Sequence, residues 1–138
     1  MSAPWRLVAA DSGEVVVAAL EVADGFWSRF RGLQRRRELP VGAGLLLVPC
    51  PSVHTCFMRF AIDVLLLDRS GAVLAVRQAV RPWRVVLSVP GTYAILEVPG
   101  GTATVGPSTK LRLEVTELGA EIPPSLAFLH ASTIAQPR

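Results

Sequence analysis

Hydrophobic and polar residues along this chain alternate in short runs rather than in long helical stripes. Residues 5–9, WRLVA, and 14–22, EVVVAALEV, read as two strands, and the intervening Asp11, Ser12 and Gly13 supply a hairpin turn. The β-branched triplet Val15 to Val17 favours a strand over a helix. After Asp24, a plausible N-cap, Phe26, Trp27, Phe30 and Leu33 fall on one face of a helix, and Pro40 ends anything further. Residues 42–49, GAGLLLVP, form a short apolar run bounded by glycine and proline, the pattern of a buried strand.

The hairpin signal is clearest at 61–80. Ile62 to Leu67 and Val73 to Val80 flank the turn Asp68-Arg69-Ser70-Gly71, where Gly71 suits the left-handed position. A proline-punctuated loop with a short extended stretch follows at 81–91, and then a strand over 92–101 running into a glycine turn. In 110–118, Leu111, Leu113 and Val115 alternate with Arg112, Glu114 and Thr116, so one face is expected buried and the other wet. Residues 121–138 are proline-containing and polar at the end, which predicts a loosely ordered tail. The sum is seven or eight short strands and one short helix. This predicts a mainly β (α+β) single domain over residues 1–120, an antiparallel, barrel-like structure with the helix packed on it.

Composition supports one core. The chain has 138 residues, 51% of them hydrophobic and 18% charged, which suits one domain and excludes wholesale disorder. A net charge of +3 is too small to argue for nucleic acid, and a nucleic-acid partner is not expected. Lys110 is the sole lysine, so the basic side is almost all arginine. Arg31, Arg35, Arg36 and Arg37, with Arg29, form a candidate anion patch on or after the helix; the plainer reading is a solvated face with cations near a helix C-terminus. No basic start leads into an apolar core at the N-terminus and no apolar run is long enough to span a bilayer. The expectation is a cytoplasmic protein with no membrane partner, its two cysteines thiols rather than a disulfide.

Chemistry concentrates in PCPSVHTCFMRFAIDVLLLD, residues 49–68. If 53–60 were one regular strand, His54, Cys56 and Met58 would share a face, a donor set suited to copper. Zinc would accept His54 and Cys56, with Cys50 brought round by its flanking prolines. Against a metal, no paired CxxC or HxxxH unit occurs, and methionine and buried cysteine are ordinary core fillers. No metal or cofactor is therefore expected, and Cys50, His54 and Cys56 stand as the alternative. Cysteine catalysis lacks an arranged base and a third orienting group, and neither a G-x-S-x-G elbow nor a P-loop is present. Arg59 and Asp63 flank Phe60-Ala61 and would pair if the chain kinks there. Asp63 and Glu97 each interrupt an apolar strand, where a carboxylate needs hydrogen bonds or a ligand.

Several of these residues recur together in a known family. Arg31-Gly32-Leu33, Gly44 with its apolar run, Ser52-Val53-His54-Thr55, Phe57-Met58, Ile62-Asp63-Val64, Leu67-Asp68 with Gly71, and Leu96-Glu97 before Gly100-Gly101 resemble the DUF192 family over roughly residues 14–118. Two positions depart: Ala61 stands where relatives commonly carry proline, and Cys56 where they often carry an aromatic residue. The resemblance implies a compact β-rich domain and no established activity, cofactor or catalytic residue.

The expectation that follows is a binding or accessory module with a polar site of His54, Thr55, Arg59, Asp63 and Glu97. Its partner would be a small ligand or a protein, and its state a monomer or weak dimer. In that site Arg59 would meet an anionic group while Thr55 and His54 hydrogen-bond the ligand. A zinc or copper protein using Cys50, His54, Cys56 and Met58 is one alternative, and a hydrolase pairing His54 with Asp63 or Glu97 is another.

Overall fold

The structure, a computed structural model, describes residues 4–23, 39–49, 53–54, 60–81, 85–86 and 88–129. Among these residues lie ten strands: β1 (Trp5–Ala9), β2 (Val15–Val17), β3 (Ala19–Ala23), β4 (Ala43–Leu47), β5 (Val53–His54), β6 (Ile62–Leu67), β7 (Val73–Val80), β8 (Val85–Val86), β9 (Ala94–Pro99) and β10 (Leu111–Val115). A 3-10 helix spans Pro124–Leu129. The expected helix over 24–33 falls outside the described residues.

The mainly β expectation holds, but the strands form separate sheets rather than a closed barrel. One sheet runs β10-β1-β2, a second β3-β4-β9-β6-β7, and β5 pairs with β8 alone. Every pairing is antiparallel except β3 with β4. The two larger sheets meet at two seams. At one, the expected single strand 14–22 breaks at Ala18, so that β2 and β3 serve different sheets. The reason is in the spacing: Val17 and Leu20 are both fully buried in one core, yet an unbroken strand would send residues three apart to opposite faces. At the other seam, the Ala72–Lys110 bridge and the bond from Val73 N–H to Thr109 O (2.8 Å) tie the start of β7 to the start of β10.

Two apolar layers result. The inner layer, between the sheets, includes Leu7, Leu20, Leu46, Leu65, Leu96, Leu111 and Leu113. The outer layer covers the far face of the five-stranded sheet with Leu45, Leu47, Ile62, Val64, Leu66, Ile95 and Val86. Strands β4, β6 and β9 are therefore buried on both faces, which accounts for their unbroken apolar runs.

The β6–β7 turn is built as its sequence suggests. Asp68 Oδ1 accepts bonds from Ser70 N–H (2.8 Å), Ser70 Oγ (2.7 Å) and Ala72 N–H (3.0 Å). Gly71 has φ +84°, and a Cβ there would lie 2.9 Å from Leu111 O and 3.3 Å from Leu129 Cδ2. Leu129 and Leu126 are both fully buried in the inner layer. Residues 124–129 of the segment expected to be a loose tail are thus docked beneath this turn, and residues 130–138 lie outside the described set.

Candidate functional site

Strand register decides where the two in-strand carboxylates stand. Asp63 pairs with Val98 and Val64 pairs with Glu97 across β6 and β9. Paired residues share a face and successive residues alternate. Asp63 therefore joins Leu65, Leu67 and Val98 on the inner face, while Glu97 joins Val64, Leu45 and Ile95 on the outer face. The structure does not bring these two expected site residues together.

Asp63 is fully buried and both of its oxygens are used. Ala79 N–H donates to Oδ1 at 2.8 Å, and Ala103 N–H donates to Oδ2 at 2.9 Å. Ala79 belongs to a bulge: Ile62 faces Val80 and Val64 faces Arg77, so Gln78 and Ala79 together oppose Asp63. Ala79 takes φ +51°, unusual for a residue with a side chain. The carboxyl of Asp63 thus clamps the β7 bulge to the loop after β9.

Glu97 is different. It is 1% exposed on the central strand of the five-stranded sheet, and among the described residues no hydrogen-bond donor reaches its carboxyl. Its lateral neighbours in the sheet are Leu45 and Val64. Burial in this apolar layer pushes its pKa up to about 8, so it is mostly neutral at pH 7. A neutral carboxyl carries one O–H donor and acceptor capacity besides.

The segment bearing His54 approaches the same face. Val53 pairs with Val86 and His54 with Val85, and Val86 is buried in the outer layer with Val64 and Ile95. Strand β8 thus anchors the backbone of β5 against the Glu97 side of the sheet. Thr55 and Arg59 lie outside the described residues, as do Cys50, Cys56, Met58 and the arginines 31, 35, 36 and 37. Among the described residues no group of three His, Cys, Asp or Glu side chains could hold a metal ion. Nor is any helix among them long and apolar enough to cross a membrane.

Two features escaped the sequence reading. Glu114, expected on a wet face, is only 8% exposed. Arg6 bonds it from the facing position on β1, Nε to Oε1 at 2.7 Å, and Arg112 Nη2 lies 3.5 Å from Oε2. Leu111, Leu113 and Val115 are buried as the alternation predicts, and on the other face Arg6 from β1 and Arg112 from β10 itself cover Glu114. The second feature is a surface depression beside the β6–β7 turn, lined by Arg69 and Tyr93 among others. The four-residue pattern Asp68-x-Ser70-Gly71 marks its turn in sequence; the juxtaposition with Tyr93 depends on the strand pairing.

Comparison with known proteins agrees with this architecture. Two crystal structures share it with a TM-score of 0.69 each. One, a proposed transcription regulator from Sinorhizobium meliloti, is 22% identical, with 78% of this chain and 90% of that chain covered. The other, a protein of unknown function from Novosphingobium aromaticivorans, is 19% identical, with 79% and 83% covered. At these identities the likeness is one of fold. A UPF0127 protein from Thermococcus sibiricus is 34% identical over 100 residues, which is 69% of this chain; the match spans 64% of that relative's length. The DUF192 family model, described as uncharacterized ACR, matches residues 7–113. This chain belongs to the DUF192 family.

Proposed function

We propose that this protein is a binding or accessory module whose ligand site lies at the Glu97 face of the five-stranded sheet. One observation carries the reading: a carboxyl buried at the centre of an apolar sheet face, with no donor among the described residues. Such a group costs stability unless something repays it, and a ligand that hydrogen-bonds to it is the functional repayment. The anchoring of β5 against this face supports drawing His54, Thr55 and Arg59 into the same site. Asp63 serves from the opposite face by holding the β7 bulge, an indirect role in place of the ligand contact expected from sequence. The ligand on this reading is a small molecule or a protein side chain offering a hydroxyl, amide or amine to Glu97. A cytoplasmic setting and a monomeric or weakly dimeric state belong to the same proposal.

The test is a fragment screen by ligand-observed NMR, run in parallel on the wild-type protein and on Glu97→Met, which keeps the length of the side chain and removes its donor and acceptor. The reading expects hydroxyl, amide or amine fragments that bind the wild type and lose at least about tenfold in affinity in the variant, the effect of one hydrogen bond to a buried group. Fragments that bind both proteins equally, or none that bind the wild type, would reject it.

A further inference from the structure

A different grouping of side chains lies at the Leu67 end of β6, three residues along the strand from Val64, the partner of Glu97. Tyr93 N–H donates to Leu67 O at 2.8 Å, which joins the loop before β9 to the end of β6. The guanidinium carbon of Arg69 lies 4.5 Å from the centre of the Tyr93 ring. Phe128 meets that ring edge-on at 5.2 Å and 80°. Phe128 sits in the 3-10 helix that Leu126 and Leu129 anchor in the core, so Arg69 rests on a braced aromatic surface. Beside it is an open depression of about 480 Å³, lined by Asp68, Arg69, Ser70, Gly91, Thr92 and Tyr93.

The hydrogen-bonding inventory points to the kind of ligand. Among the described residues Arg69 has no ion pair or hydrogen bond. Stacking on a ring occupies a guanidinium's face and leaves its in-plane N–H groups free, in the fork geometry that matches a carboxylate or phosphate. Of the three hydroxyls among the lining residues, two are already spent as donors, Ser70 Oγ to Asp68 Oδ1 at 2.7 Å and Thr92 Oγ1 to Val89 O at 2.8 Å, while the Tyr93 phenol makes no hydrogen bond among the described residues. Asp68 opposes an anion, but its Oδ1 is saturated by three donors and Lys110 is close enough to act on its charge. Arg69 and Lys110 against Asp68 leave the local balance positive.

We propose that this depression binds a small oxyanion, a carboxylate or a phosphate, gripped by the Arg69 guanidinium where it stacks on Tyr93. The experiment is a two-dimensional amide NMR titration of the full chain at constant ionic strength, with inorganic phosphate in one series and acetate in the other. Wild type, Arg69→Gln and Arg69→Lys are compared. Arg69 is exposed, so its replacement leaves the core intact. Saturable shifts at Ser70, Gly91 and Thr92 are expected, with a Kd on the order of 1–10 mM for the preferred anion. Affinity should fall at least about tenfold in Arg69→Gln and recover only in part in Arg69→Lys, which lacks the planar fork. The anion that saturates first identifies the ligand's headgroup. Linear shifts scattered over the surface, or equal saturation in Arg69→Gln, would overturn the proposal.

Discussion

Asp63 and Glu97 stand one position out of register on adjacent strands and face opposite sides of the same sheet. Each carboxyl is almost wholly removed from water. They differ in what burial has cost. Two backbone N–H groups meet Asp63, whereas Glu97 lies among leucine, valine and isoleucine and is kept neutral by them. The first is a structural clamp, and the second is the buried neutral carboxyl on which the proposed site rests.

Replacing Asp63 by Asn tests the clamp. An amide presents one acceptor oxygen where two N–H groups need one each, and its NH2 would point at the other donor. The expected loss is about 2–4 kcal/mol. It would be read by urea denaturation as a lower midpoint at unchanged slope. Amide exchange at Ala79 and Ala103 should accelerate more than in the rest of β7. Stability within about 0.5 kcal/mol of wild type would show that the clamp contributes little.

Glu97 predicts an unusual pH dependence. In the unfolded chain the carboxyl ionises near its model value of 4.5, while in the folded protein it keeps its proton to about 8. Between those values the folded state binds the extra proton, so stability falls as pH rises from about 4.5 to about 8 and then levels. The total loss is on the order of 5 kcal/mol. Glu97→Gln should abolish this slope, resembling wild type near pH 5 and exceeding it at pH 8. Parallel wild-type and variant curves across that range would be the contrary result.

Asp68 works in the other direction. Burial pushes its pKa up, but the bonds from the Ser70 hydroxyl and from the Ala72 and Ser70 N–H groups, with the charge of Lys110, outweigh it and hold the carboxyl below its model value of 3.8. Its contribution is complete above that value and is lost as pH falls through the lower folded pKa. Asp68→Ala should therefore destabilise the protein at neutral pH and flatten the acid limb of the wild-type curve. The background of choice is Glu97→Gln, where the opposing slope is absent.

Leu126 tests whether the C-terminal 3-10 helix belongs to the fold. It is fully buried in the inner layer, so Leu126→Ala should cost about 2–5 kcal/mol. A loss near zero in thermal denaturation would mean that the segment is dispensable.

Much of this was legible in the residues themselves. The apolar runs Leu45 to Val48 and Val64 to Leu67 announced strands buried on both faces, and Asp63 and Glu97 stood out because they interrupt such runs. The faces they occupy were not legible. Alternation orders side chains within one strand, but whether Asp63 meets Val98 or Glu97 depends on the β6–β9 register, a long-range property. The break at Ala18 could have been found from Val17 and Leu20, whose spacing of three suits no single strand face. Leu126 and Leu129 carry the i, i+3 spacing of a 3-10 helix entered through Pro123 and Pro124, but the prolines and small residues around them resembled a loose tail.

The most direct test of the central claim is the titration of the Glu97 side-chain carboxyl, followed by carbon-13 NMR on the unliganded protein. A midpoint near 8 is the predicted result. A midpoint near the model value of 4.5 would show that the carboxyl is hydrated or already partnered, and would contradict the account.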